Sequence, residues 1–117
     1  MPKHTYAKGR GFEWEVMHFI RNGFPLVVRS AGSHGAVDVV AIRQGEAWLI
    51  QCKVDGSISP EERDELLKLS KLLSYPNGSF KALPLHAYKE GGKIVIKLLK
   101  SEPRHIKLKG DTLVSEY

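Results

Sequence analysis

The stretch GAVDVVAIRQGEAWLIQCK, residues 35–53, decides the fold. Val37, Val39 and Ala41 alternate with Val40 and Ile42, so both faces of the first run are apolar except at Asp38. That is the pattern of a strand covered on both sides. Burying an unpaired carboxylate costs on the order of several kcal/mol, so Asp38 needs something to stabilise it. If Gln44-Gly45 forms a two-residue hairpin turn, Arg43 lies opposite Glu46, and counting back sets Asp38 opposite Gln51. Directly opposed side chains share a face, and Lys53, two residues beyond Gln51, projects from that face as well. A three-residue turn would shift the pairing by one.

A carboxylate, an amide oxygen and an amine thus converge at one end of a sheet. They are either three ordinary polar residues at a strand end or part of a hard-metal site. Mg2+ takes oxygen ligands, with one or two carboxylates, waters and phosphate in its shell, and neutralises the buried carboxylate. A neighbouring lysine then faces the reacting phosphate or the attacking water.

Upstream of this pair, Phe12, Val16, Phe19 and Ile20 recur at helical spacing, which predicts a helix from about Gly11 to Asn22, stopped by Asn22-Gly23. Glu13 and Glu15 fall at the two edges of its apolar stripe, and periodicity alone does not choose between them. Residues 1–10 read as a flexible basic arm that orders against a partner. Pro25 to Ser30 reads as a strand, and the small-residue loop Ala31 to Gly35 lets backbone approach a ligand. Downstream, Ser59-Pro60-Glu61-Glu62 carries a capping box, and Leu66, Leu69, Leu72 and Leu73 line the core face of a helix reaching about Tyr75. Ser79 to Tyr88 and Lys93 to Leu99 read as two further strands, and residues 101–117 as a peripheral segment. The expected fold class is therefore α/β, one domain over residues 1–117 with a central five-stranded mixed sheet flanked by helices.

Composition narrows the class of partner. The chain has 117 residues, 42% hydrophobic and 26% charged, the balance of one globular domain. Cys52 is the single cysteine, which excludes an intramolecular disulfide and a zinc finger and fits a reducing, cytoplasmic compartment. It faces away from Gln51 and Lys53 and reads as buried and inert. No run approaches a membrane span or the core of a signal peptide, so no membrane partner is expected. A net charge of +5 favours an anionic partner such as nucleic acid.

KGRGFE at 8–13, RSAGSHGAVDVVA at 29–41 and WLIQCK at 48–53 resemble the archaeal-type Holliday junction resolvases of the PD-(D/E)XK nuclease superfamily. That pattern is a glutamate early in the first helix after a Lys-Gly pair, an R-S-x-G-S-like loop, an aspartate leading an apolar strand, and E-x-K on the next. Glu13, Asp38 and Lys53 take the matching positions and Ser33 falls in the loop, so the resemblance chooses Glu13 over Glu15. Gln51 stands where the family has glutamate; its amide oxygen can still coordinate a metal, with one negative charge fewer.

The resemblance implies a restriction-endonuclease-like fold and a metal-dependent endonuclease that resolves four-way DNA junctions by paired symmetric nicks leaving a 5′-phosphate and a 3′-hydroxyl. Glu13, Asp38 and Gln51 would hold Mg2+, with Mn2+ as a substitute, while Lys53 and Ser33 complete the catalytic set. Lys3, Lys8, Arg10, Arg29, Ser33 and His34 are candidate DNA contacts, and two nicks require two sites, hence a homodimer. Two rival readings stand beside this one. A related repair or restriction-type nuclease keeps the chemistry and changes the target; a non-catalytic DNA-binding module keeps the fold with a degraded site, for which Gln51 argues.

Overall fold

The structure is a computed structural model that describes residues 2–30, 35–99, 104–107 and 113–116, with side chains over 11–30 and 35–99. The chain runs α1 (Pro2–Ile20), a short 3-10 turn, β1 (Leu26–Arg29), β2 (Val39–Arg43), β3 (Glu46–Cys52), α2 (Pro60–Leu73), β4 (Lys81–Glu90), β5 (Lys93–Leu98), β6 (Arg104–Lys107) and β7 (Leu113–Glu116). The strands form one mixed sheet in the order β1-β2-β3-β4-β5-β7-β6. The five expected strands are contiguous in it, from the edge strand β1 to β5. The segment expected to be peripheral adds β6 and β7 at the edge beyond β5. Residues 2–10, expected as an arm, continue α1 back to Pro2; proline is tolerated in a first helical turn because its missing N–H would be unpaired there anyway.

The β2–β3 hairpin has the predicted turn. Gly45 takes φ of +80°, open to glycine, and Arg43 pairs with Glu46, their side chains joined at 2.7 Å. Pairing follows the expected register as far as Val39↔Ile50, one residue short of Asp38 and Gln51. β3 then pairs in parallel with β4, which sets Gln51 beside His86. The connection between these parallel strands is α2, the crossover that a parallel pair requires.

Each helix covers one face. Against α1 pack Val39 and Ala41 of β2, Trp48 and Ile50 of β3, Leu85 and Ala87 of β4, and Ile96 and Leu98 of β5, with Phe12, Val16 and Ile20 from the helix. Leu66 of α2 packs on Leu49, Ala82 and Leu99 on the other face. Asp38 lies just ahead of β2 with apolar residues on both sides, as its flanking sequence requires.

The leucine face of α2 is half of what the spacing predicts. Leu66 is fully buried and Leu69 packs against the same cluster, but Leu72 is 80% and Leu73 45% exposed. Ser70 takes the inward position instead, its hydroxyl donating to the Ala82 carbonyl, and the helix ends at Ser74, whose Oγ accepts the Ala82 amide at 2.9 Å.

Candidate active site

The C-terminal ends of β1, β3 and β4 and the entry to β2 lie at one end of the sheet, the end at which α/β sheets place their ligands. Asp38 sits there, one residue before β2. Its amide donates to the Ile50 carbonyl at 2.8 Å, and its Oδ2 accepts the Cys52 amide at 2.9 Å. The carboxylate therefore continues the β2–β3 ladder where backbone pairing stops. Burial raises its pKa to about 6, Glu13 and Glu62 push the same way, and the Cys52 amide and Lys53 oppose them.

Glu13 approaches from α1. It faces Arg29 of β1 at 3.4 Å, both side chains being about one-fifth exposed. Arg29 also lies over the Trp14 ring, whose residue is 52% exposed. Glu15 turns elsewhere and meets Lys89 at 2.8 Å. Of the two glutamates that periodicity left open, Glu13 is the one whose charge reaches Asp38.

Gln51 is 4% exposed, and its Oε1 accepts no hydrogen bond among the described residues. Leaving a buried acceptor unsatisfied costs ~1–3 kcal/mol, so such atoms mark places where a partner is expected. Lys53 projects toward α2, where Nζ meets Glu62 Oε2 at 3.2 Å. Glu62 is fixed by the capping box: its Oε1 accepts the Ser59 amide and its own amide donates to Ser59 Oγ, both at 3.1 Å. Burial pushes Glu62 up, but the Ser59 amide and Lys53 outweigh it and hold the carboxyl below its usual range.

Among the described residues, no three His, Cys, Asp or Glu side chains form a metal cage. The available donors are two acids, Glu13 and Asp38, and the amide oxygen of Gln51. They fit a hard cation, since a carboxylate disfavoured by burial and an unpartnered buried oxygen are both relieved by one. Cys52 packs on the α1 side, its thiol pushed far up by burial.

Sequence reasoning missed two residues. Glu62 was read only as part of a helix cap, although a cap at the sheet's ligand end places its acid near Lys53. His86, 3% exposed, pairs with Gln51 across β3 and β4; a histidine inside LPLHAY carries the same signal as Asp38 inside VDVVA. Ser33 and His34 lie outside the described residues. α1 carries the backbone of Lys3, Lys8 and Arg10, whose side chains are likewise outside them.

Comparison with known proteins supplies a family. Over 74 residues the chain is 35% identical to the crossover junction endodeoxyribonuclease Hjc of Methanocaldococcus jannaschii. The match covers 60% of this chain and 55% of that protein, so the chain spans about half the length of the curated relative it matches. The family model for the archaeal Holliday junction resolvases (Hjc) matches residues 4–113, and the chain belongs to that family.

Proposed function

We propose that this chain is a structure-selective endodeoxyribonuclease that resolves four-way DNA junctions by paired nicks, with Mg2+ at Glu13, Asp38 and Gln51. The observation that carries this reading is the pairing of a burial-destabilised Asp38 with the unpartnered Gln51 Oε1, at the sheet end where Lys53 also projects. Family membership and the activity in its relative's name support this reaction class.

A bound divalent cation supplies Lewis-acid polarisation of the phosphate and an activated water. Asp38 and Glu13 contribute the negative charge that holds the cation, and Gln51 contributes a neutral oxygen. Lys53, steadied by Glu62, is the cation left to offset charge developing on the phosphate. Arg29 keeps Glu13 from turning to solvent and sits at the mouth, where a DNA phosphate could exchange for Glu13. Two symmetric nicks imply a two-fold dimer whose axis matches the junction's; the exposed Leu72, Leu73 and Tyr75 at the end of α2 are apolar surface that a partner copy would cover.

The test is incubation with a synthetic four-way junction, a linear duplex and a single strand, each with and without Mg2+. Symmetric nicks in the junction alone, only with metal, are the expected result. Equal cleavage of all three would make this a nuclease with another target. Junction binding without cleavage in Mg2+ or Mn2+ would favour the non-catalytic module, the reading that the neutral Gln51 supports.

A further inference from the structure

The reaction proposed above leaves one buried polar group unused. His86 is 3% exposed, and its Nε2 has no hydrogen-bond partner among the described residues. It lines a cavity of about 220 Å3 together with Gly56, Ile58, Arg63, Lys97, Leu98 and Leu99. Lys97 is its register partner on β5, so the ammonium rises from the same face, and Arg63 comes from the first turns of α2. The imidazole is tilted against the Tyr88 ring at 5.1 Å between centroids. Burial and then Lys97 keep it neutral, with a pKa of about 4; Lys53 adds to this, while Asp55 and Glu62 are the acids that oppose it.

A buried imidazole nitrogen without a partner is as costly as the unpartnered oxygen of Gln51. A cation answers the need at Gln51, where carboxylates gather. It does not answer the need at His86, whose cavity is rimmed by a lysine and an arginine and on which Lys97 acts more strongly than any other charge. An anion with acceptor oxygens would take an N–H from the imidazole and two positive charges from the rim. His86 lies one strand spacing, about 5 Å, from Gln51 and two, about 10 Å, from the Asp38 strand, on the side of Gln51 away from Asp38 and Glu13, so an anion held there sits next to the phosphate being cut, on the same DNA strand.

We infer that the cavity formed by His86, Lys97 and Arg63 is a phosphate-binding subsite that holds a backbone phosphate of the substrate DNA beside the one cleaved. The identity of the anion rests on the nuclease reading; the pocket's affinity for a phosphate group does not, and the two are tested apart.

The first measurement uses the protein without DNA. Inorganic phosphate is titrated against chloride at constant ionic strength while the His86 imidazole is followed by NMR. A saturable shift with an affinity on the order of millimolar, weakened in Lys97→Gln, is expected. No saturable shift, or the same affinity in Lys97→Gln, overturns the subsite. The second measures junction binding without divalent metal across a salt series, so that failure of cleavage cannot affect it. Lys97→Gln should flatten the salt slope by about one phosphate, roughly eightfold in affinity at 0.1 M salt. His86→Leu, which removes the orphaned nitrogen, should fold with equal or higher Tm yet bind phosphate and junction more weakly. If it gains stability and binds both as before, His86 is a packing residue and the inference fails. A protein that binds inorganic phosphate here but no DNA keeps the subsite and loses the nuclease.

Discussion

Asp38 serves the backbone and, in the proposed reaction, the chemistry as well. Its Oδ2 holds the Cys52 amide while the rest of the carboxylate is destabilised by burial and by Glu13. Asp38→Asn keeps an oxygen for that amide and removes the charge. Cleavage should fall by ~100- to 1,000-fold or more, while junction binding stays within a few fold because many phosphates share it; normal cleavage by this variant would displace the site. Gln51 is the point at which the sequence departs from the motif pattern it resembles. Gln51→Glu adds charge to the cation's shell and should lower the half-maximal Mg2+ concentration about tenfold, and Gln51→Ala should raise it. Metal titrations unchanged in both variants would remove Gln51 from the ligand set. These residues were legible because each is a polar residue that the flanking apolar alternation leaves unexplained. The choice of Glu13 over Glu15 was not legible from spacing, since it depends on which strand each glutamate meets, β1 through Arg29 or β4 through Lys89, a matter of three-dimensional docking.

At the level of elements, α2 ties the sheet to the site. Its first turn spends both oxygens of Glu62, one on the Ser59 amide and one on Lys53. Glutamine at the same position still completes a capping box but carries no charge. Glu62→Gln should therefore leave stability in chemical denaturation within the ~1 kcal/mol expected of a partly exposed ion pair, and should cut turnover about tenfold by freeing Lys53. Glu62→Ala should lower both. Turnover unchanged in Glu62→Gln would make the pair incidental. The same helix shows where sequence reading stops. The spacing of Leu66 and Leu69 found the buried face, but Ser70 occupies the next inward position through a hydrogen bond to the sheet, which no hydrophobic pattern records. Leu66→Ala should cost ~2–5 kcal/mol in chemical denaturation, whereas Leu72→Ala should stay within ~0.5 kcal/mol in a monomer. The strands were easier to read, because Gly45 fixed the hairpin and the hairpin fixed its register. β6 and β7 were not, since short edge strands carry too few residues to show alternation.

Across the whole molecule, two buried groups pull the pH dependence of stability in opposite directions. Asp38 has its folded pKa raised from 3.8 to about 6, so the folded state binds more protons between those values and stability falls as pH rises through them. His86 has its folded pKa lowered from 6.5 to about 4, so the unfolded state binds more protons and stability rises over nearly the same window. The metal-free protein should show a flat profile from about pH 4 to 6 as far as these two are concerned. Asp38→Asn should uncover a rising profile and His86→Leu a falling one, measured by denaturation at a series of pH values. Parallel profiles in all three proteins would mean that neither group titrates as its surroundings indicate.

The amide of Cys52 belongs to the backbone, yet its partner is the very carboxylate proposed to grip the cation. That makes one main-chain proton a natural gauge. Its resonance frequency and its rate of exchange with solvent deuterium should follow the ionisation of Asp38 and any cation that draws on the carboxylate. The occupancy of the site could then be followed on the intact, unlabelled fold, with no DNA cut and no side chain replaced.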